Sequence, residues 1–417
     1  MMDKLVRVIF SFREFKGHYD DDIVDRLSRT YTTTLLLVLA TVVTTKQLVG
    51  ETISCWCPAF FTESHRHYAN SVCWVTSTYY VPFNKRIPND DVREWAQERV
   101  VTFYQWVPFI FLCMLFLSLL PALLWRFLLL RAGVCVTSLV DAAGTCQRAS
   151  YVEIRERTLR FIVNNIDRFL MTQRDPSRDC CARLRHQAAK YCFLIGGKRY
   201  GNYLTVSYLV TKCFYLVIAV LQLYLLNHFL GTDMHMYGLQ AIVSLLRGQE
   251  WSESHRFPRV TLCSFEIRHQ ARVHDYVVQC SLSINLFNEK IFLFLWLWFV
   301  LLATITAFSL IQWILRTVVW PWQVRFVKKQ VRAFGARHRT STQVRKFTQL
   351  YLRRDGVFLV RLISSNVGEL VAAEILTALW DNYGPGRRSV AENPTRKRDA
   401  KNTNLSLDAS CKNMDVV

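Results

Sequence analysis

Four stretches of this 417-residue chain are apolar enough to cross a lipid bilayer, which takes about 20 helical residues. They run over residues 32–49, 106–130, 203–230 and 291–314. The start of the third falls somewhere between Asn202 and Cys213. Backbone polar groups in hydrocarbon must pair within their own segment, so spans of this kind are helices. Residues 1–30 carry six basic and six acidic side chains. That is no signal peptide, and the first span is expected to act as an uncleaved anchor.

The net charge of +20 sorts itself along the chain. Residues 131–200 hold 13 Lys+Arg against 6 Asp+Glu, and residues 315–417 hold 19 against 8. The other two connections are balanced, with 5 against 6 over 50–105 and 6 against 6 over 231–290. The positive-inside rule therefore places 131–202, 315–417 and the N-terminus in the cytoplasm. The basic residues are dispersed and no nucleic-acid module is visible, so no nucleic-acid partner is expected.

Cysteines fit this topology. The exterior loops, 50–105 and 231–290, hold Cys55, Cys57, Cys73, Cys263 and Cys280. The other eight lie where thiols are expected to stay reduced. Each exterior loop has a well-separated pair, 55 with 73 and 263 with 280, and Cys57 is left over. His65 and His67 near Cys55 and Cys57 match no zinc spacing, so no metal is expected. There is no phosphate loop, no GxSxG elbow and no HExxH. The chain reads as a channel, a junction protein or a scaffold, and not as an enzyme.

Local features refine the reading. Leu5, Val8, Ile9, Phe12 and Phe15 share one helical face ahead of the first span. Asp20, Asp21, Asp22 and Asp25 follow, and can cap helices or form an acidic ring in an oligomer. Thr34, Thr41 and Thr45 mark a face of span 1 that is either water-lined or bonded back to its own helix. Pro121 should kink span 2. Lys212 falls a third of the way into span 3, and the cheaper expectation is that it projects into cytoplasm below the embedded part. Helical patterns cover 151–170, with Leu159, Ile162, Ile166 and Phe169 on one face, and 343–381, with a break at Asp355-Gly356. Residues 315–383 are thus a helical cytoplasmic region, and 384–417 a disordered tail. The fold class is an all-α membrane protein, a four-transmembrane-helix bundle with braced exterior loops and a helical cytoplasmic layer.

Phe103, Tyr104, Gln105, Trp106, Val107 and Pro108 lead into span 2 and resemble the YYQWVP signature of the innexins, the invertebrate gap-junction proteins. Position 103 is Phe instead of Tyr. Cys55-Trp56 with Pro58, Tyr79-Tyr80-Val81-Pro82, Gly197-Lys198-Arg199-Tyr200, Gly231-Thr232-Asp233 with Tyr237-Gly238, Phe257-Pro258-Arg259-Val260, Asn288-Glu289-Lys290 and Asp355-Gly356-Val357-Phe358 extend the likeness over residues 5 to 382. The resemblance implies a ring of subunits around an aqueous pore, an octamer, docked to a ring in the apposed cell. It implies passage of ions and small metabolites with no cofactor, and partners that include membrane lipid and other innexins. It also implies that residues 1–31 line the pore mouth, with Phe12, Phe15, Asp21, Asp22, Asp25, Thr34, Thr41 and Thr45 as lining candidates. Antiparallel alignment of the two exterior loops pairs Cys55 with Cys280 and Cys73 with Cys263, in agreement with the family's inter-loop pattern. Within-loop pairing is the alternative. Connexins carry three closely spaced cysteines per loop, which this chain lacks. Pannexins act chiefly as undocked channels, so a hemichannel in one membrane is the alternative function, and a non-conducting adhesion or scaffold protein is a third. The terminal Asp415-Val416-Val417 fits an acidic class of PDZ ligand.

Overall fold

The computed structural model describes residues 21–49, 52–76, 78–81, 100–101, 103–172, 201–230, 257–269, 272–333 and 340–383. Phe12 and Phe15, the rest of the N-terminal helix and the C-terminal tail lie outside them. Among the described residues, four helices are long and apolar enough to cross a membrane. They are α1 (Ile23–Val49), α3 (Val107–Ala132), α6 (Tyr203–Leu230) and α7 (Ser283–Val318). The 36 residues of α7 extend about 54 Å, well beyond a hydrocarbon core of about 30 Å. The first helix widens into a π turn at Leu27–Tyr31. Pro121 lies within α3, which continues through it, and the missing N–H leaves the Leu117 carbonyl without its usual partner.

Two compact units divide the chain. One lies within Leu27–Leu120 and Tyr215–Ala307. Besides parts of the long helices it holds helix α2 (Glu63–Thr76) and a five-stranded sheet, ordered β1-β5-β4-β2-β3. The strands are β1 (Ser54–Trp56), β2 (Thr78–Tyr79), β3 (Val100–Val101), β4 (Val260–His269) and β5 (Arg272–Ser281). The sheet adds to the helical architecture something the sequence reading did not place. Its centre is the hairpin β4–β5, paired from Val260↔Ser281 to His269↔Arg272. Thr261, Cys263 and Phe265 alternate inward along β4, and Val278 and Cys280 along β5. Leu36, Val43, Phe111, Met114, Phe292 and Phe299 extend the same core along the helices.

The other unit lies within Met1–Arg26, Pro121–Phe214 and Phe308–Val417. It holds α4 (Val136–Arg148), α5 (Val152–Thr172), α8 (Trp320–Ala333), α9 (Ser341–Lys346), α10 (Arg353–Asn366) and α11 (Glu369–Tyr383). Ile162, Ile166, Phe169 and Leu170 of α5 pack with Leu359, Leu362, Ile363, Ile375, Leu376 and Leu379. The anticipated break at Asp355-Gly356 is absent, because α10 runs through both residues. The turns are at Arg353, with φ 54°, and at Gly368, with φ 140°. Gly356 sits in the helix for reasons of space. A Cβ there would lie 3.2 Å from Leu170 Cδ2 and 3.3 Å from Leu352 Cβ. Cys135 is disulfide-bonded. This corrects the expectation that all eight remaining cysteines stay reduced: compartment sets a bias, and proximity of two sulfurs decides whether a bond can form.

Candidate functional site

Three constellations connect the sequence motifs to the architecture. The first is the braced sheet. Disulfides join Cys55 to Cys280 and Cys73 to Cys263. Cys55 opposes Cys280 directly where β1 pairs with β5. Cys73 projects from α2 onto β4. All four half-cystines are buried. Residues some 200 positions apart thereby become one rigid platform. Cys57 remains a thiol, half-buried, with its sulfur 3.8 Å from the Cys55 carbonyl oxygen. Burial pushes its pKa up, against the pull of the Arg66 charge.

The hexapeptide at 103–108 fastens this platform to α3. Tyr104 is fully buried and packs its ring 4.8 Å from Trp74. Gln105 donates its amide N–H to the Trp74 carbonyl, one residue past the bridged Cys73. Gln47, near the end of α1, donates to the Tyr104 carbonyl at 2.9 Å. Phe103 meets Phe257 edge-on at 5.2 Å. Pro108 falls in the first turn of α3, where a missing N–H costs nothing. Trp106 stays exposed beside Phe109, as an amphipathic ring at a membrane interface would. The Phe257-Pro258-Arg259-Val260 motif closes the other side. The Pro258 carbonyl accepts from Asn285 Nδ2 at 3.0 Å, and Arg259 lies 3.7 Å from Glu289 at the start of α7.

The second unit carries a charge cluster centred on Lys212, whose side chain is fully buried in protein. The ammonium pairs with Asp25 at 3.0 Å and with Asp22 at 3.2 Å, and donates to the Ser309 hydroxyl at 2.7 Å. Asp22 Oδ2 also accepts from the Trp313 indole at 3.0 Å and from Ser309 at 3.1 Å. Asp25 Oδ2 accepts from the Tyr208 hydroxyl at 2.8 Å. Burial disfavours the Asp22 carboxylate, but the Lys212 charge and the donors from Trp313, Lys212 and Ser309 outweigh it and hold the pKa below the usual value. Arg26 binds Asp21 at 3.7 Å and Asn366 Oδ1 at 2.7 Å. Asp21 and Asp25 are buried within the single subunit. A carboxylate left unpaired there would be costly, and the cation 187 residues downstream of Asp25 removes that cost.

The Asp355-Gly356-Val357-Phe358 motif lies beneath this cluster. Asp355 Oδ1 accepts from both the backbone N–H and the hydroxyl of Thr205 at 3.0 Å, satisfying a first-turn donor of α6. Phe358 packs 5.0 Å from Tyr208 and 5.7 Å from Trp313. Lys212 stands 5.5 Å from the Tyr208 ring centre and 6.0 Å from that of Trp313.

Along α1, Thr34, Thr41 and Thr45 each donate a hydroxyl to their own helix, at the carbonyls of Thr30, Val38 and Thr41. Thr34 and Thr45 are exposed in the single subunit and Thr41 is half-buried. Their hydroxyl protons are thus satisfied locally, while the side chains are open to whatever lies beside α1.

Comparison with known proteins gives this arrangement its family. The Innexin family model matches residues 21–383. Innexin unc-9 of Caenorhabditis elegans is 40% identical over 372 residues, covering 89% of this chain and 94% of that protein. Innexin-19 of Caenorhabditis briggsae is 31% identical over 405 residues, covering 91% and 89%. Innexin-3 of Caenorhabditis elegans is 33% identical over 371 residues, covering 89% and 85%. With a family match across most of its length, four apolar helices and a disulfide-braced sheet, the chain belongs to the innexins, the family of gap-junction channel subunits.

Proposed function

We propose that eight copies of this chain form a ring around a wide aqueous pore, and that the ring docks onto another in the apposed cell. The joined channel passes ions and small metabolites. Both termini, with 131–202 and 315–417, lie in the cytoplasm, and 50–105 and 231–290 face the gap. Residues 1–31 and the Thr34, Thr41 and Thr45 face of α1 line the pore mouth. The C-terminal Val417 engages a PDZ scaffold, and other innexins co-assemble.

The observation that carries this reading is the bridged sheet. Two loops from opposite halves of the sequence are fused by two disulfides and five strands into one platform. Docking two rings edge to edge requires such a preorganised face, because ordering loops at the moment of contact would consume much of the binding energy. The charge balance supports the orientation.

Paired cells expressing this chain alone test the reading. Conductance and dye transfer between the partners are expected. Dye uptake by single cells with no transfer between pairs would make it a hemichannel, and neither signal would leave a non-conducting scaffold.

A further inference from the structure

We propose that Lys212 is a positioning residue of the channel, holding residues 21–26 at the root of the first helix. The inference rests on the channel reading above, and deepens it by naming what fixes that segment. Asp22 and Asp25 stand at the start of α1, where Asp22 Oδ1 accepts from the Ile23 N–H at 2.9 Å. Lys212 belongs to α6; Ser309 and Trp313 belong to α7. One ammonium therefore ties three chain segments together, through ion pairs with Asp22 and Asp25 and a hydrogen bond to Ser309. A buried ion pair adds little net stability over an apolar replacement, but it fixes geometry, because only one arrangement satisfies all partners.

Several details point to position over bulk stability. The cluster sits over a ring of aromatic side chains, Tyr208, Trp313 and Phe358, which an apolar residue at 212 would fill with fewer polar demands. Arg26 adds a second fastening one turn on, to Asn366 of α10. Directly after Arg26 the helix widens into the π turn at Leu27–Tyr31, a form that recurs where helices bend or serve function. Residues 21–26 are thus anchored separately from the rest of α1. Releasing the anchor moves the root of the N-terminal segment without unravelling the span.

The test uses full-length protein in paired cells, with junctional plaques and ring assembly measured beside the current. Lys212→Met leaves two carboxylates without their cation, and Lys212→Met with Asp25→Asn removes one of them as well. Trp313→Phe deletes one donor to Asp22, Ser309→Ala deletes another together with an acceptor of Lys212, and both spare the ion pairs. At equal plaque number, Lys212→Met is expected to change the open-to-closed ratio by about fivefold or more, the usual scale of a coupling between sites. The double variant should recover part of that change, and Ser309→Ala and Trp313→Phe should shift it in the same direction by less. If Lys212→Met fails to assemble, the two donor variants decide. Wild-type unitary conductance and voltage response in every variant that reaches the junction would overturn the proposal while leaving the channel reading intact. Absence of current from the wild type would instead count against the channel reading itself.

Discussion

Replacing Cys73 and Cys263 together by alanine isolates the contribution of one bridge. The two disulfides are nested, so with Cys55–Cys280 intact the second bridge closes a short circuit and not the full separation of 190 residues. That circuit runs from 55 to 73, across, and from 263 to 280, about 35 residues of chain. Chain entropy then assigns the bridge about 4 kcal/mol. The hairpin β4–β5 and the β1–β5 pairing remain, so the sheet persists but opens more often. At about 1.4 kcal/mol per decade, the open population rises by roughly 600-fold. Native-state proteolysis of purified oligomers, scored by cleavage within 257–281, reads that population directly when reclosing is faster than cutting. A cleavage rate within about tenfold of the parent would refute the nested-circuit reasoning. The alanines also leave small voids where two fully buried sulfurs stood, and these act in the same direction.

Other outcomes follow from single contacts. Gly356→Val forces branched carbon against Leu170 and Leu352 and should cost about 1–3 kcal/mol, seen as a lower melting temperature in detergent, whereas Gly356→Ala should cost less because the gain in helix propensity offsets part of the clash. Asp355→Ala strands the buried Thr205 donors and should cost about 1–3 kcal/mol, with Asp355→Asn milder because an acceptor oxygen remains, compared by the same melts. Gln222 donates to Met114 O and Ser118 Oγ between α6 and α3, yet Gln222→Leu should cost only about 0.6 kcal/mol, because an unfolded helix in lipid finds other partners. Deleting Val416 and Val417 should leave unitary conductance unchanged and disperse the plaques in imaging; normal plaques would rule out the scaffold contact.

The long helices and the hexapeptide were legible because their signals are local. Twenty apolar residues in a row can do little else, and Tyr104, Gln105 and Pro108 each act within a few residues of α3 or on the neighbouring loop. The hairpin was not read, although β4 alternates inward Thr261, Cys263 and Phe265 with outward Ser264 and Glu266. That period-two signal was present and was masked by reading the segment as loop between two spans. Lys212 could not be read locally at all. Its environment is set by Asp22 and Asp25, nearly 190 positions upstream, and by Ser309 and Trp313, about 100 downstream. Gly356 suggested a helix break by type alone, and only Leu170 from another helix explains why a glycine belongs inside α10.

The nested bridges also impose an order on synthesis. Cys55, Cys57 and Cys73 emerge first, and Cys263 and Cys280 follow only after about 200 more residues, which at about 5–20 residues per second takes roughly 10–40 s. Three thiols of the first loop therefore wait together, and any two of them can pair wrongly before the native partners are made. The native partners arrive together, between the third and fourth long helices, so any such early bond must be exchanged before the correct pairs form. Cys57 is the residue that makes this sorting hard, since it stands two positions from Cys55 and has no partner of its own. Once the sheet closes, burial raises the pKa of its thiol and deprives it of the thiolate needed to attack the neighbouring bridge. Folding thus ends the competition that translation begins, and retention of a Cys57→Ser variant in the secretory pathway should be shorter than that of the parent.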